Sequence, residues 1–143
     1  MEDDVVRTPD QATSIVADAY TRLHTGKPDA VLGLATGSTP LRVYRELVRR
    51  HREEGLSFAR AQAFNLDEYV GLPAGHPELY RTFIEREFTS QVDFGRDAVH
   101  GPDGLADDLE QAATDYERQI VGAGGIDLQI LGIGADGHLA FNM

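Results

Sequence analysis

The sequence predicts an α/β fold in which helices cover a mostly parallel sheet. Two observations carry this expectation. Segments with helical apolar spacing alternate with short apolar runs along the chain, and three strand-like segments are each followed by a loop of small or polar residues. The 143 residues suit one domain with a substantial core, and residues 1–143 read as a single domain.

Residues Pro9 to Leu23 place Ala12, Ile15, Val16, Ala19 and Leu23 on one helical face. Thr8 suits the N-cap before a proline in the first turn. Lys27-Pro28 ends that helix. Ala30-Val31-Leu32-Gly33-Leu34 has the continuous apolar character of a buried parallel strand. After the loop Ala35-Thr36-Gly37-Ser38-Thr39-Pro40, a second helix runs from Leu41 to about Glu54, with Val43, Tyr44, Leu47 and Val48 as its apolar stripe and Gly55 at its end. Ala61 to Leu66 reads as a second strand. Residues 67–76 form a loop containing Gly71, Pro73 and Gly75, and Pro77 opens a helix reaching Phe88. Residues 93–104 are irregular, with a short strand expected at Ala98-Val99-His100. An amphipathic helix is predicted from Leu105 to Val121, and a strand from Ile126 to Ile133.

Composition narrows the function. Twenty-four acidic residues against 13 basic ones give a formal net charge of -11, a repulsive far field for nucleic acid and for anionic membranes. No apolar run approaches the roughly 20 residues needed to span a bilayer. The start, Met1-Glu2-Asp3-Asp4, lacks the basic character of a secretory signal. There is no cysteine, hence no disulfide framework and no thiolate metal site, and a cytoplasmic setting fits. The five histidines, at 24, 51, 76, 100 and 138, show no metal-ligand spacing. Arg45, Arg49, Arg50 and Arg52 read as a solvated helix face; a phosphate or nucleic-acid patch is the alternative, but aromatics are not interleaved.

In parallel sheets, ligands bind where strands end at their carboxyl edge, and three loops are expected there. Thr36, Gly37, Ser38 and Thr39 lie between a strand and a helix. Glycine permits close backbone approach, the helix N-terminus favours an anion, and three hydroxyls add donors. That is either a phosphate cradle or a capped turn; it is not a Walker A loop, because no Gly-Lys-Ser/Thr follows. Asp67 and Glu68 are adjacent acids at a strand end, where neighbours point to opposite faces and would do different jobs. Either could serve as a proton-transferring base if its pKa were raised, or both could be solvated. His76 and Tyr80 lie four residues apart, with Tyr80 expected in the core. Gly132-Ile133-Gly134-Ala135-Asp136-Gly137 fits G-x-G-x-x-G, but no full helix follows and no acid lies about 20 residues onward to hold a ribose. The pair Asp136 and His138 offers either a proton-moving histidine held by a carboxylate or a capped turn.

Together these segments resemble the glucosamine-6-phosphate deaminase family, part of a wider group with 6-phosphogluconolactonases. The matching stretches are Leu32 to Pro40, Phe64-Asn65-Leu66-Asp67-Glu68-Tyr69-Val70-Gly71-Leu72, His76-Pro77-Glu78-Leu79-Tyr80, and Leu131 to Asn142. The stretch 65–72 and the ending Ala140-Phe141-Asn142 favour deaminase over lactonase. The resemblance implies a Rossmann-like three-layer sandwich with a mostly parallel sheet, here truncated to an N-terminal part of about half a family member. It implies conversion of glucosamine 6-phosphate and water to fructose 6-phosphate and ammonia, without redox cofactor or metal. Asp67 would move the C2 proton to C1, His138 would open the pyranose ring, and Asp136 would orient and charge-stabilise His138. Thr36, Gly37, Ser38 and Thr39 would grip the phosphate, with Glu68 and His76 also in the substrate site. The sequence departs from the family at Met143, where a glutamate of the ring-opening set stands. The resemblance implies a sugar-phosphate ligand, neither nucleic acid nor membrane as partner, and room for a homo-oligomer, since family members often form trimers or hexamers.

Overall fold

A computed structural model describes residues 9–131. Its elements are α1 (Pro9–Gly26), β1 (Val31–Leu34), α2 (Ser38–Glu54), β2 (Gln62–Asn65), α3 (Tyr80–Glu87), β3 (Val99–His100), α4 (Leu109–Gly122) and β4 (Leu128–Gln129), with a 3-10 turn at Thr89–Gln91. The four strands form one sheet in the order β3-β2-β1-β4, and every pairing is parallel.

Alternation along the strands separates two faces. Leu32 and Leu34 of β1, Ala63 of β2 and Ile130 just after β4 pack into the main core with Val43, Tyr44, Leu47 and Val48, the apolar stripe of α2. On the opposite face, Phe64 meets Tyr116 of α4 edge-to-face, with ring centroids 5.8 Å apart. The Tyr116 hydroxyl donates to the Asn65 carbonyl at 2.8 Å. Helices thus cover both faces, as right-handed crossovers require when the chain passes from β3 back over β2 and β1 to reach β4.

An aromatic cluster forms where α1, α2 and α3 meet the loop between α2 and β2. Phe58, fully buried in that loop, stacks on Tyr20 at 4.6 Å, with Phe94 at 5.2 Å and Phe88 at 5.4 Å. Its N–H donates to Asp93 Oδ1 at 2.7 Å, and the Ser57 hydroxyl donates to Oδ2 at 2.8 Å. At the other side of the sheet, Asp127 clamps β4 to β1. Its N–H donates to the Val31 carbonyl, its carboxylate accepts the Val31 N–H at 2.8 Å, and Lys27 Nζ donates to it at 3.0 Å.

Burial opposes the ionised form of both acids. Hydrogen bonds outweigh it: Phe58 N–H and the Ser57 hydroxyl hold Asp93 below the ordinary aspartate value of 3.8, and Val31 N–H with Lys27 do the same for Asp127. A depressed folded-state pKa contributes stability above the unfolded value and loses it as pH falls through the folded value. The stability difference between the unmutated chain and Asp127→Asn is therefore expected to be constant down to about pH 5 and to shrink toward about pH 3. Urea unfolding at a series of pH values checks this, and a difference that grows on acidification would contradict it.

Several boundaries differ from the sequence expectation for local reasons. The second helix starts at Ser38 rather than Leu41, because Gly37, at φ 127°, turns the chain directly into it. The third starts at Tyr80 rather than Pro77: residues 73–79 form successive turns, with His76 N–H on the Pro73 carbonyl and Leu79 N–H on that of His76. The fourth starts at Leu109 rather than Leu105, since the Asp108 carboxylate accepts the Gln111 N–H at 3.0 Å and serves as the N-cap. Asp103 holds the Leu105 N–H in the turn before it. Of the arginines at 45, 49, 50 and 52, Arg45, Arg49 and Arg52 are exposed, and Arg49 contacts Glu46, Glu53 and Glu54. Arg50 departs from the expected solvated face: its side chain is only 13% exposed and reaches α1, contacting Asp18 at 2.8 Å. Among the described residues no helix is long and apolar enough to cross a membrane.

Candidate active site at the carboxyl edge of the sheet

Leu34 and Asn65 are in register at the ends of β1 and β2, and the Leu66 N–H donates to the Leu34 carbonyl at 2.8 Å. The loops leaving these strands therefore begin side by side, about 4.8 Å apart. Strand order reverses between β1 and β4, so the crevice of an open α/β sheet opens beside the first loop.

The first loop is fixed at its base and free at its tip. The buried Tyr44 hydroxyl accepts the Ala35 N–H at 3.0 Å and donates to the Ala35 carbonyl. Burial raises its pKa, so it remains a neutral phenol. Beyond that anchor Thr36 is half-buried, and Gly37, Ser38 and Thr39 are exposed. No side chain caps α2. Its first N–H groups and the hydroxyls of Ser38 and Thr39 thus stand together at the positive end of a 17-residue helix, an arrangement suited to a phosphate monoester.

In the second loop the two acids have separate surroundings. Glu68 turns to α3: its carboxylate accepts the N–H of Tyr80 at 2.8 Å and of Arg81 at 3.0 Å, supplying the N-terminal cap that Leu79 lacks. Asp67 is half-buried, and its pKa is raised by burial and then by the neighbouring charge of Glu68. Such a carboxyl is a better proton acceptor than an exposed aspartate. Tyr80, expected in the core, is half-buried against this loop instead. Its ring lies 4.8 Å from that of Tyr69, and burial first, then Tyr69 and the charges of Asp67 and Glu68, keep its hydroxyl protonated. His76 lies in the turn before α3. Its Nδ1 accepts the Glu78 N–H at 3.0 Å, so the neutral ring carries its proton on Nε2.

A further loop, after β3, joins this edge. The Gly71 N–H donates to the Gly104 carbonyl at 2.9 Å, and a Cβ at Gly104 would lie 2.2 Å from the Tyr69 carbonyl oxygen. Only glycine allows that approach. Asp136 and His138 lie outside the described residues, as does the G-x-G-x-x-G stretch.

Sequence reasoning missed Asn65. It is 2% exposed at the very end of β2, and neither Oδ1 nor Nδ2 has a hydrogen-bond partner. A lone asparagine in a strand-like run carries no pattern that would mark it. A buried unpaired amide costs about 1–3 kcal/mol. Asn65→Leu, close in shape, is therefore expected to stabilise the fold by about 1 kcal/mol, read from urea unfolding.

Residues 4–141 match the family model described as glucosamine-6-phosphate isomerases/6-phosphogluconolactonase. A glucosamine-6-phosphate deaminase of Mycolicibacterium smegmatis is 59% identical over 99% of this chain and 54% of its own length. One from Beutenbergia cavernae is 58% identical over 97% of this chain, again covering 54% of the relative. The chain thus spans about half the length of the curated relatives it matches. Among solved structures, a monomeric glucosamine-6-phosphate deaminase superposes with TM-score 0.88 at 40% identity, over 95% of this chain and 56% of that one. A 6-phosphogluconolactonase from Thermotoga maritima gives 0.76 at 28% identity, over 93% and 59%.

Proposed function

The chain belongs to the glucosamine-6-phosphate isomerase/6-phosphogluconolactonase family, and from that premise we propose that its site serves the deaminase branch: glucosamine 6-phosphate and water give fructose 6-phosphate and ammonia. The carrying observation is that the hydroxyl-rich loop after β1 and the Asp67 loop after β2 leave adjacent, in-register strands at one edge. A phosphate-gripping loop and a raised-pKa carboxylate at that separation suit the two ends of one phosphorylated hexose.

In this reading Ser38, Thr39 and the first amides of α2 hold the phosphate, with Thr36 and Gly37 shaping the loop. His138, oriented by Asp136, opens the ring by proton transfer at its oxygen. The Asp67 carboxylate removes the C2 proton of the open amino aldose while the substrate's ammonium gives a proton to the C1 oxygen, forming an enolamine, and the C2 proton is then returned at C1. The resulting ketose iminium takes up water at C2 and expels ammonia, which makes the overall step a hydrolysis of a carbon–nitrogen bond. His76 Nε2–H offers a donor to the sugar. A cytoplasmic setting and a homo-oligomer belong to the same proposal.

Ammonia release from glucosamine 6-phosphate, measured with a coupled dehydrogenase, tests it. Likeness to the Thermotoga maritima lactonase makes 6-phosphogluconolactone the comparison substrate. Lactone hydrolysis without ammonia would move the assignment to the lactonase branch. Binding of glucosamine 6-phosphate without turnover would leave a sugar-phosphate-binding chain.

A further inference from the structure

We propose that Glu68 does not contact the substrate but is a positioning residue, fixing the Asp67 loop to the N-terminus of α3. The inference rests on the reading of Asp67 as the proton-transferring base. It stands first on geometry. Both Glu68 oxygens are engaged by α3, Oε1 accepting the Tyr80 N–H at 2.8 Å and Oε2 the Arg81 N–H at 3.0 Å. Oε1 also accepts the Tyr69 N–H at 3.0 Å, which closes the loop on itself. These bonds span 12 and 13 residues, so they attach the loop to a separate element. Leu79 provides no side-chain cap for α3, and its first turn contains no acid. Glu68 supplies both the cap and the favourable negative charge there.

The same carboxylate has an electrostatic effect next door. Asp67 is faced, among the described residues, by Glu68 on its own loop and by Tyr80 of α3. After burial, the Glu68 charge is the contribution that raises the proton affinity of Asp67. A group that only shaped the loop would not move that affinity. Removing the charge while keeping the shape lowers the Asp67 pKa, so the acidic limb of kcat/KM shifts to lower pH.

The test compares the full chain with Glu68→Gln and, should that variant fold poorly, Glu68→Ala. It uses carbon-13 NMR titration of the Asp67 carboxyl, hydrogen exchange of the Tyr80 and Arg81 amides, and ammonia release from glucosamine 6-phosphate. The expected result is a lower Asp67 midpoint, exchange of the two amides faster by about tenfold, and a kcat reduced by about tenfold with KM nearly unchanged. An unchanged midpoint with unchanged exchange overturns the inference. So does a KM raised more than about tenfold at constant kcat, which is the signature of a substrate contact. If Asp67→Asn retains full ammonia release, the base assignment fails and this inference with it. If Asp67→Asn is inactive and Glu68→Gln behaves as the unmutated chain, only the role of Glu68 falls.

Discussion

Asp67→Asn is expected to reduce ammonia release by about 10²–10⁴-fold, the usual contribution of a positioned general base. Affinity for glucosamine 6-phosphate should stay within about threefold, because the amide keeps the size of the carboxyl and the proposed phosphate grip lies in the first loop. Stability should not fall. The Asp67 pKa is raised in the folded chain, by burial and then by Glu68, so its charged form at neutral pH opposes folding. A group of this kind contributes stability below its unfolded pKa and loses it as pH rises through the folded one, so a neutral amide removes a burden at pH 7. The substitution should thus separate turnover from stability. Turnover by calorimetric or coupled assay and unfolding in urea would be measured on the same preparation. A variant that loses both activity and stability would indicate a structural carboxylate instead.

Phe58→Ala is expected to give the largest loss of stability, about 3–5 kcal/mol. Total stabilities of single domains are about 5–15 kcal/mol, so this is a large share. Phe58 is fully buried and contacts Tyr20 of α1, Phe88 beside α3 and Phe94. Its neighbours come from different elements, and the backbone at Phe58 is held by Asp93, so the cavity cannot close by moving one helix. The urea midpoint gives the value. A loss below about 1 kcal/mol would mean that the aromatic cluster collapses around the gap.

These two residues mark how far the sequence could be read. The place of Asp67 was legible because an acid pair follows a strand-like run, and it does lie just beyond the end of β2. The stripe of α2 was legible because Val43, Tyr44, Leu47 and Val48 repeat at helical spacing, and all four are buried. Phe58 was not: it lies in a loop without period, and only the convergence of three helices makes it central. The attachment of Glu68 to α3 was hidden for a similar reason, since its partners are 12 and 13 residues away and adjacent acids look alike in one dimension. Asn65 gave no signal because its distinction is the absence of a partner. The strand alternation implied a parallel sheet, but not that β1 lies between β2 and β4. Pairing order depends on crossover direction, which apolar spacing does not encode.

That order bears on how the chain reaches its native state. β1 can pair with β2 across 31 positions, Val31 against Gln62, whereas the contact of Val31 with Asp127 closes 96. Loop-closure entropy makes the second event costlier by about 1 kcal/mol, a several-fold difference in encounter rate. Emerging from the ribosome, α1 through β2 can condense early, while one edge of β1 waits for β4 to dock. The kinetic bottleneck, and the interval when the nascent sheet is open to misassembly, therefore fall on the Lys27–Asp127–Val31 clamp.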